Sequence, residues 1–253
     1  MKQLFIISLL LSLASSGYAL SWTDVAGYWK FDEGSGAYAY DASGNNNTGT
    51  LYGNTSWTAG KHGNGLYFDG SGDYVQIADS TSLSPTQQIT IASWVYTPGN
   101  FGYWTIVGKD NAYQNQLLGS NGIQNSIYYG GWSEKNSSAV LTAGAWNHVV
   151  ITFNGSTQSI YANGTLILQG AFSAGINNSA DTMYIGSWKA ASEFFYGIID
   201  EVSVWNKALS STEVSTFYTT YNGNVSNFVP EASSFLCLFL VVGAGVLRRF
   251  FSK

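Results

Sequence analysis

The sequence predicts an all-β body with one short helix, and three observations carry that expectation. Runs of β-branched and aromatic residues recur along the chain, each bounded by Gly or Asn clusters. Two Asn-Gly pairs, Asn154-Gly155 and Asn163-Gly164, separate consecutive runs. Asn-Gly is a strong hairpin signal because both residues tolerate positive φ. The composition agrees: 29 Gly, 3 Pro, 16% aromatic and 10% charged residues suit short strands with tight turns. So much aromatic side chain also argues against disorder.

Taken in order, the first strand signal is Tyr28-Trp29-Lys30-Phe31. Runs at 66–68 and 74–77 follow, joined by Asp69-Gly70-Ser71-Gly72-Asp73. The run 89–96 alternates, with Ile89, Ile91, Ser93 and Val95 sharing one face. Runs at 104–108 and 126–129 are shorter. The passage 146–169 predicts three strands, 146–153, 158–161 and 165–168, across the two Asn-Gly turns. Runs at 183–186 and 198–205 complete the set. The helix signal is Ser210-Ser211-Thr212-Glu213, a capping box with Ser210 as N-cap. It predicts a helix to about Tyr218, with Val214, Phe217 and Tyr218 docking on a sheet. Residues 221–228 read as a polar linker.

The two ends read as address labels. Lys2, the apolar stretch 4–13 and Gly17-Tyr18-Ala19 have the order of a signal peptide, cut by signal peptidase after Ala19. At the other end stand Val229-Pro230-Glu231, an apolar run of about 235–247, and Arg248, Arg249 and Lys253. Some 13 residues span only about 20 Å as a helix, short of a roughly 30 Å hydrocarbon core. That suits transient insertion, with the basic end held cytoplasmic. The arrangement resembles the PEP-CTERM sorting signal (229–253) of Gram-negative bacteria. The resemblance implies processing by an exosortase-type peptidase and delivery to the cell envelope, outer surface or extracellular matrix. A simple membrane anchor is the alternative. The single cysteine, Cys237, lies in this run, so the body forms no internal disulfide.

Between the labels, residues 20–228 hold six Lys and no Arg against fourteen Asp and Glu, a formal net charge of −8. An acidic body without guanidinium forks is a poor partner for a phosphate backbone or an anionic lipid surface. Nucleic acid is therefore not expected as a partner. The N-x-S/T triplets read as turn chemistry in a bacterial protein.

Several segments in order resemble the LamG-like jelly-roll domain of the concanavalin A-like lectin/glucanase superfamily. They are GYWKFDEGSG (27–36), DASGNNNTG (41–49), GKHGNGLYFDGSGDYVQI (60–77), ITIASWVY (89–96), WNHVVITFNGSTQSIYANGTL (146–166), MYIGS (183–187) and GIIDEVSVWNKALSSTEVSTFY (197–218). They cover most of 20–220. The resemblance implies a two-sheet antiparallel β-sandwich with jelly-roll connections, its first and last strands side by side. Trp29, Trp94, Trp146 and Trp205 are expected in or against the core.

Adjacent first and last strands would bring Asp32 and Glu33 toward Asp200 and Glu201, with Asp41 and Asn45 in a Gly-flanked loop nearby. Oxygen ligands suit Ca²⁺, and related domains hold structural Ca²⁺. One Ca²⁺ on Asp32, Asp41, Asn45 and Asp200 is the candidate cofactor. The alternative is an Asx-type turn at Asp41, with Asp200 bonded to nearby backbone.

Hydrolases of the superfamily carry two Glu, spaced around an Asp, on one strand. The nearest stretch here, Ile198-Ile199-Asp200-Glu201-Val202, has one Glu. By strand alternation Asp200 and Glu201 should point to opposite faces. His62 and His148 have no identifiable partner. No catalytic residue is expected. The likeness instead implies binding of a glycan or a surface protein. Segment 96–135, unlike the family's constant motifs, offers aromatics among amides as a ligand-specific loop region would. Trp104, Trp132, Tyr103, Tyr129 and Asn111 are the candidate ligand contacts. The loop 186–195, which carries Trp188, is a further one. A structural matrix protein without sugar binding and a hydrolase relative are the alternatives.

Overall fold

The computed structural model describes residues 20–99 and 101–228. The expected signal peptide and the sorting signal, with Val229, Pro230, Glu231, Arg248 and Arg249, lie outside the described residues. Among the described residues no helix is long and apolar enough to cross a membrane.

Sixteen strands and one α-helix organise the described residues. In chain order they are β1 (Val25–Trp29), β2 (Tyr38–Ala39), β3 (Gly49–Tyr52), β4 (Ser56–Ala59), β5 (Asn64–Asp69), β6 (Tyr74–Ile77), β7 (Ile89–Tyr96) and β8 (Trp104–Lys109). There follow β9 (Tyr113–Leu118), β10 (Gly122–Tyr128), β11 (Trp132–Asn136), β12 (Trp146–Phe153), β13 (Thr157–Ala162), β14 (Thr165–Ala171), β15 (Met183–Ile185) and β16 (Tyr196–Trp205), then α1 (Ser211–Thr219). One sheet runs β14-β13-β12-β7-β16-β5-β4, with β1 also paired to β16. The other runs β11-β10-β9-β8-β15-β6-β3-β2. All pairings are antiparallel, and the first and last strands are neighbours as expected.

The two sheets face each other across one apolar core. Ile91, Val95, Ile151 and Val204 of the first sheet meet Val107, Leu117, Ile127 and Ile185 of the second. Each such side chain contributes about 1.5–3 kcal/mol by leaving water. The first sheet is covered on its outer side too. There α1 lays Val214 and Phe217 against Ala92, Val150 and Trp205. This is why β7 is buried almost throughout, rather than alternating. The capping box fixes where α1 begins: Ser210 Oγ accepts from Glu213 N at 3.3 Å, and Glu213 Oε2 accepts from Ser210 N at 2.8 Å.

Two expectations are corrected. Segment 96–135 is not chiefly loop: it forms β8 to β11, four strands of the second sheet. Residues 221–228 are not a free linker either. Asn222 O accepts from Trp94 Nε1 at 2.9 Å, Asn224 Nδ2 donates to Glu201 Oε1 at 2.9 Å, and Val225 is fully buried.

Candidate functional site

The outer face of the second sheet gathers aromatic and polar groups around one loop. The loop joins β15 to β16 and folds back on itself, Trp188 N donating to Ser192 O at 2.9 Å. Gly186, Lys189, Ala190 and Glu193 all take positive φ in it. Glu193 staples the loop to the sheet. Its carbonyl accepts from Thr105 N at 2.9 Å, and its Oε2 accepts from Thr105 Oγ1 at 2.7 Å and Gln114 Nε2 at 2.6 Å. The Trp188 indole lies on Gly108 of β8, where an added Cβ would stand 2.8 Å from Trp188 Cε3. A glycine inside a strand marks such a close approach.

From there Trp188 meets Trp132 of β11 edge-on, at 5.6 Å between centroids, and Trp132 meets Tyr128 at 5.2 Å. Lys189 Nζ stands 5.4 Å from the Trp188 ring centroid and is ion-paired with Asp110. Beside them opens a depression of about 180 Å³, lined by Asp110, Asp181, Thr182, Tyr184 and Lys189. Asp181 accepts from Ser179 Oγ at 2.7 Å and Asn111 Nδ2 at 3.1 Å, and these bonds hold its carboxyl below the usual range. Rings with polar neighbours can stack on apolar faces and exchange hydrogen bonds with hydroxyls.

Of the residues singled out in the sequence, Trp132 (38% exposed) belongs to this cluster, and Asn111 touches it through Asp181. Tyr129, 58% exposed, sits in the adjoining β10–β11 turn. Trp104 and Tyr103 lie at the far end of β8 from Asp110. Trp104 packs on Phe195 and Tyr196, and Tyr103 stands in solvent. Tyr184, Asp110 and Asp181 were missed. For Tyr184 a signal was there: in Met183-Tyr184-Ile185 the central residue must face outward if its neighbours face the core.

The four proposed calcium ligands do not form a cage. Asp41 Oδ1 accepts from Tyr28 N (2.9 Å) and Ser43 N (2.8 Å), and Oδ2 from Asn47 N (2.9 Å) and Ser43 Oγ (2.8 Å). That is the Asx-turn arrangement. Asn45 Nδ2 donates to the carbonyls of Val25 and Ala26. Asp32 pairs with Lys30 at 3.0 Å and, beside Glu33 and Asp41, lines an open cavity of about 340 Å³. Asp200 is buried, accepting from the N–H groups of Lys61 (2.7 Å), His62 (2.9 Å) and Glu201 (2.9 Å). Among the described residues no three acidic, His or Cys side chains group as a metal site.

Asp200 and Glu201 do not alternate faces as expected. The register of β16 against β7 slips between Asp200 and Ser203, and Glu201 takes φ +52. This bulge turns both carboxyls to the outer side of the first sheet, where Glu201 accepts from Tyr28 Oη. Burial pushes Asp200 up to about 7 and Glu201 up to about 8. Buried His148 packs on Trp94, Phe217 and Tyr218, and burial lowers its pKa to about 3. This cluster lies on the other sheet from Trp188, beneath residues 222–225.

A family model described as the concanavalin A-like lectin/glucanases superfamily matches residues 69–215, more than half of the chain. The chain belongs to this superfamily. Solved structures of the same fold include domain 4 of AbnA, a GH43 extracellular arabinanase from Geobacillus stearothermophilus, in complex with arabinotriose. That pair has a TM-score of 0.63 and 19% identity, over 76% of this chain and 97% of that one. The binding domain of Paraclostridial Mosquitocidal Protein 1 gives 0.65 and 16%, over 79% and 53%. The binding domain of botulinum neurotoxin DC in complex with SialylT gives 0.61 and 16%, over 79% and 52%. The chain thus spans about half the length of these toxin domains. No curated protein matches the sequence. This superfamily member shares a lectin-like jelly roll with domains that bind glycans, and its own site must be argued from its own residues.

Proposed function

We propose that this protein is an exported, non-catalytic glycan-binding module of the bacterial envelope or its exopolysaccharide matrix. One observation carries the reading: Trp188 is laid on Gly108 and meets Trp132, beside a depression lined by Asp110, Asp181, Thr182 and Lys189. Apolar rings next to fixed acceptors and a donor suit a sugar's two kinds of surface. The glycans bound by structures of the same fold support it, and so do the signal-peptide and sorting-signal patterns at the chain ends. Signal peptidase and an exosortase-type peptidase are the processing partners those patterns imply. The non-catalytic part rests on the placement of Asp200 and Glu201. Asp200 is buried under the backbone of Lys61 and His62 and Glu201 beneath Asn224, on the other sheet from the aromatic cluster.

A glycan array with the purified protein tests the proposal. Saturable binding to a restricted set is expected, weakened about tenfold, or about 1.4 kcal/mol, by Trp188→Ala or Trp132→Ala. A blank array with folded protein overturns it.

A further inference from the structure

The aromatic groups of the second sheet do not stop at Trp188. On the far side of the depression, Tyr184 of β15 meets Tyr74 of β6 at 5.7 Å, and Tyr74 stacks on Tyr52 of β3 at 4.9 Å and 16°. The register puts these rings on the face that carries Trp188. Tyr52 pairs with Tyr74, Tyr184 pairs with Gln76 and with Gly108, Gly108 with Gln114, Gln114 with Ser126, and Ser126 with Glu134. Paired residues of an antiparallel sheet share a face, and Trp132 lies two residues from Glu134 on β11.

The rings therefore form a band across the strands, from Tyr52 on β3 to Trp132 on β11. Six inter-strand steps separate those two strands, roughly 30 Å at about 4.8 Å each. A single sugar ring covers about one aromatic side chain, so most of this band would lie idle under a terminal sugar. The band's charge narrows the ligand further. Among its described residues Asp110, Asp181, Glu134 and Glu193 stand against one ammonium, Lys189, already paired with Asp110. Such a surface repels uronate, sialate and sulfate groups.

We infer that the ligand of this face is a neutral, linear polysaccharide that lies across the strands and is gripped along its length, not by its end. This rests on the glycan-binding reading and specifies its ligand class. Tyr52 and Tyr74 are then contacts for the distal sugars of a chain whose middle crosses the depression that Tyr184 lines, beside Trp188.

The experiment is calorimetric titration of the full chain with neutral cello-, laminari-, xylo- and arabino-oligosaccharides of one to eight units, and with oligogalacturonates of equal length. The expected result is an affinity that keeps rising beyond the trisaccharide in one neutral series, at least tenfold above the matching acidic oligomer. Tyr52→Ala should cut binding of the longest member about tenfold and leave the shortest unchanged. Tyr52→Phe should retain it, since stacking needs the ring and not the hydroxyl. Equal affinity for short and long members, still lost in Trp188→Ala, would overturn the extended-chain inference and leave the glycan reading standing. Tighter binding of the acidic series would do the same to the charge argument. No binding by any member, with native near-ultraviolet dichroism, would overturn both readings.

Discussion

Tyr28, on the first strand of the body, donates its hydroxyl hydrogen to Glu201, on the last. Asn224, from the segment that leaves the helix, completes the joint. The positive-φ bulge at Glu201 makes the bond possible, because regular alternation would have sent that side chain into the core. Burial also raises the Tyr28 pKa, so the pair is an acid held by a neutral phenol.

Stability should therefore depend on pH in a definite direction. Asp200 and Glu201 have folded values of about 7 and 8, above their ordinary 3.8 and 4.5. Their contribution is complete below about pH 4 and is lost as pH rises through 7 and 8, because the unfolded chain releases those protons first. His148 acts oppositely: its value falls from 6.5 to about 3, so its contribution is complete above 6.5 and is lost on acidification toward 3. Two acids outweigh one imidazole between pH 5 and 8. The net linkage across that range is roughly 4 kcal/mol, so the melting temperature should rise by roughly 10 °C or more from pH 8 to pH 5, at about 2–4 °C per kcal/mol for a domain of this size. It should decline again below pH 4. Glu201→Gln should flatten the slope and raise stability at pH 8. A melting temperature that climbs steadily from pH 5 to 8 would contradict the argument.

Gly223 closes the same joint. Its φ is +66, and an added Cβ would run into the Trp94 indole nitrogen and stand 2.8 Å from His148 Nε2. Gly223→Ala combines backbone strain with a clash against fully packed rings. It should destabilise the protein by about 2 kcal/mol in urea unfolding. It should also expose Trp94, read as a red shift in tryptophan emission. Unchanged unfolding would mean that residues 222–225 are not integral to the body.

What was legible in the sequence follows the physics of each element. The meander β12 to β14 and the start of α1 were legible because Asn-Gly turns and a capping box are local chemistry. The bulge at Glu201 was not, because positive φ at a non-glycine residue is imposed by its surroundings. Segment 96–135 misled for a related reason. In β9 and β10 the buried positions include Asn115 and Asn125, which mask alternation. Asn125 Nδ2 donates across the core to the carbonyls of Thr152 (3.0 Å) and Ser159 (3.1 Å). The site was half legible: Trp132, Asn111 and the Trp188 loop were named, but their assembly needed the sheet order.

Asp41 provides a test of what stabilises the loop after β1. Its carboxylate accepts four hydrogen bonds, three from backbone N–H groups. Asp41→Ala strands those donors and should cost about 3 kcal/mol, since bonds to a charged acceptor are worth about 1.5–3 kcal/mol each and are not additive. If the carboxylate serves the loop directly, the loss should be equal in excess Ca²⁺ and in EDTA. Calorimetry of both forms in both buffers measures it. A wild-type transition that drops in EDTA, with the variant insensitive, would instead support a bound Ca²⁺ at Asp41.

Gly108 gives the sharpest separation of binding from folding. The Trp188 indole can lie on the sheet only because position 108 has no side chain. Gly108→Val adds a branched side chain under the ring while suiting a β-strand. The indole must lift, and the Trp132 contact at 5.6 Å beside the depression must open. The fold should survive, because the loop stays stapled through Glu193 to Thr105 and Gln114. Glycan affinity should then fall by about tenfold or more, or about 1.4 kcal/mol, with a melting temperature near the wild-type value. Intrinsic fluorescence reports the displaced indole in the same sample. Displaced fluorescence with full affinity would show that Trp188 is a structural prop and move the binding site elsewhere on the sandwich.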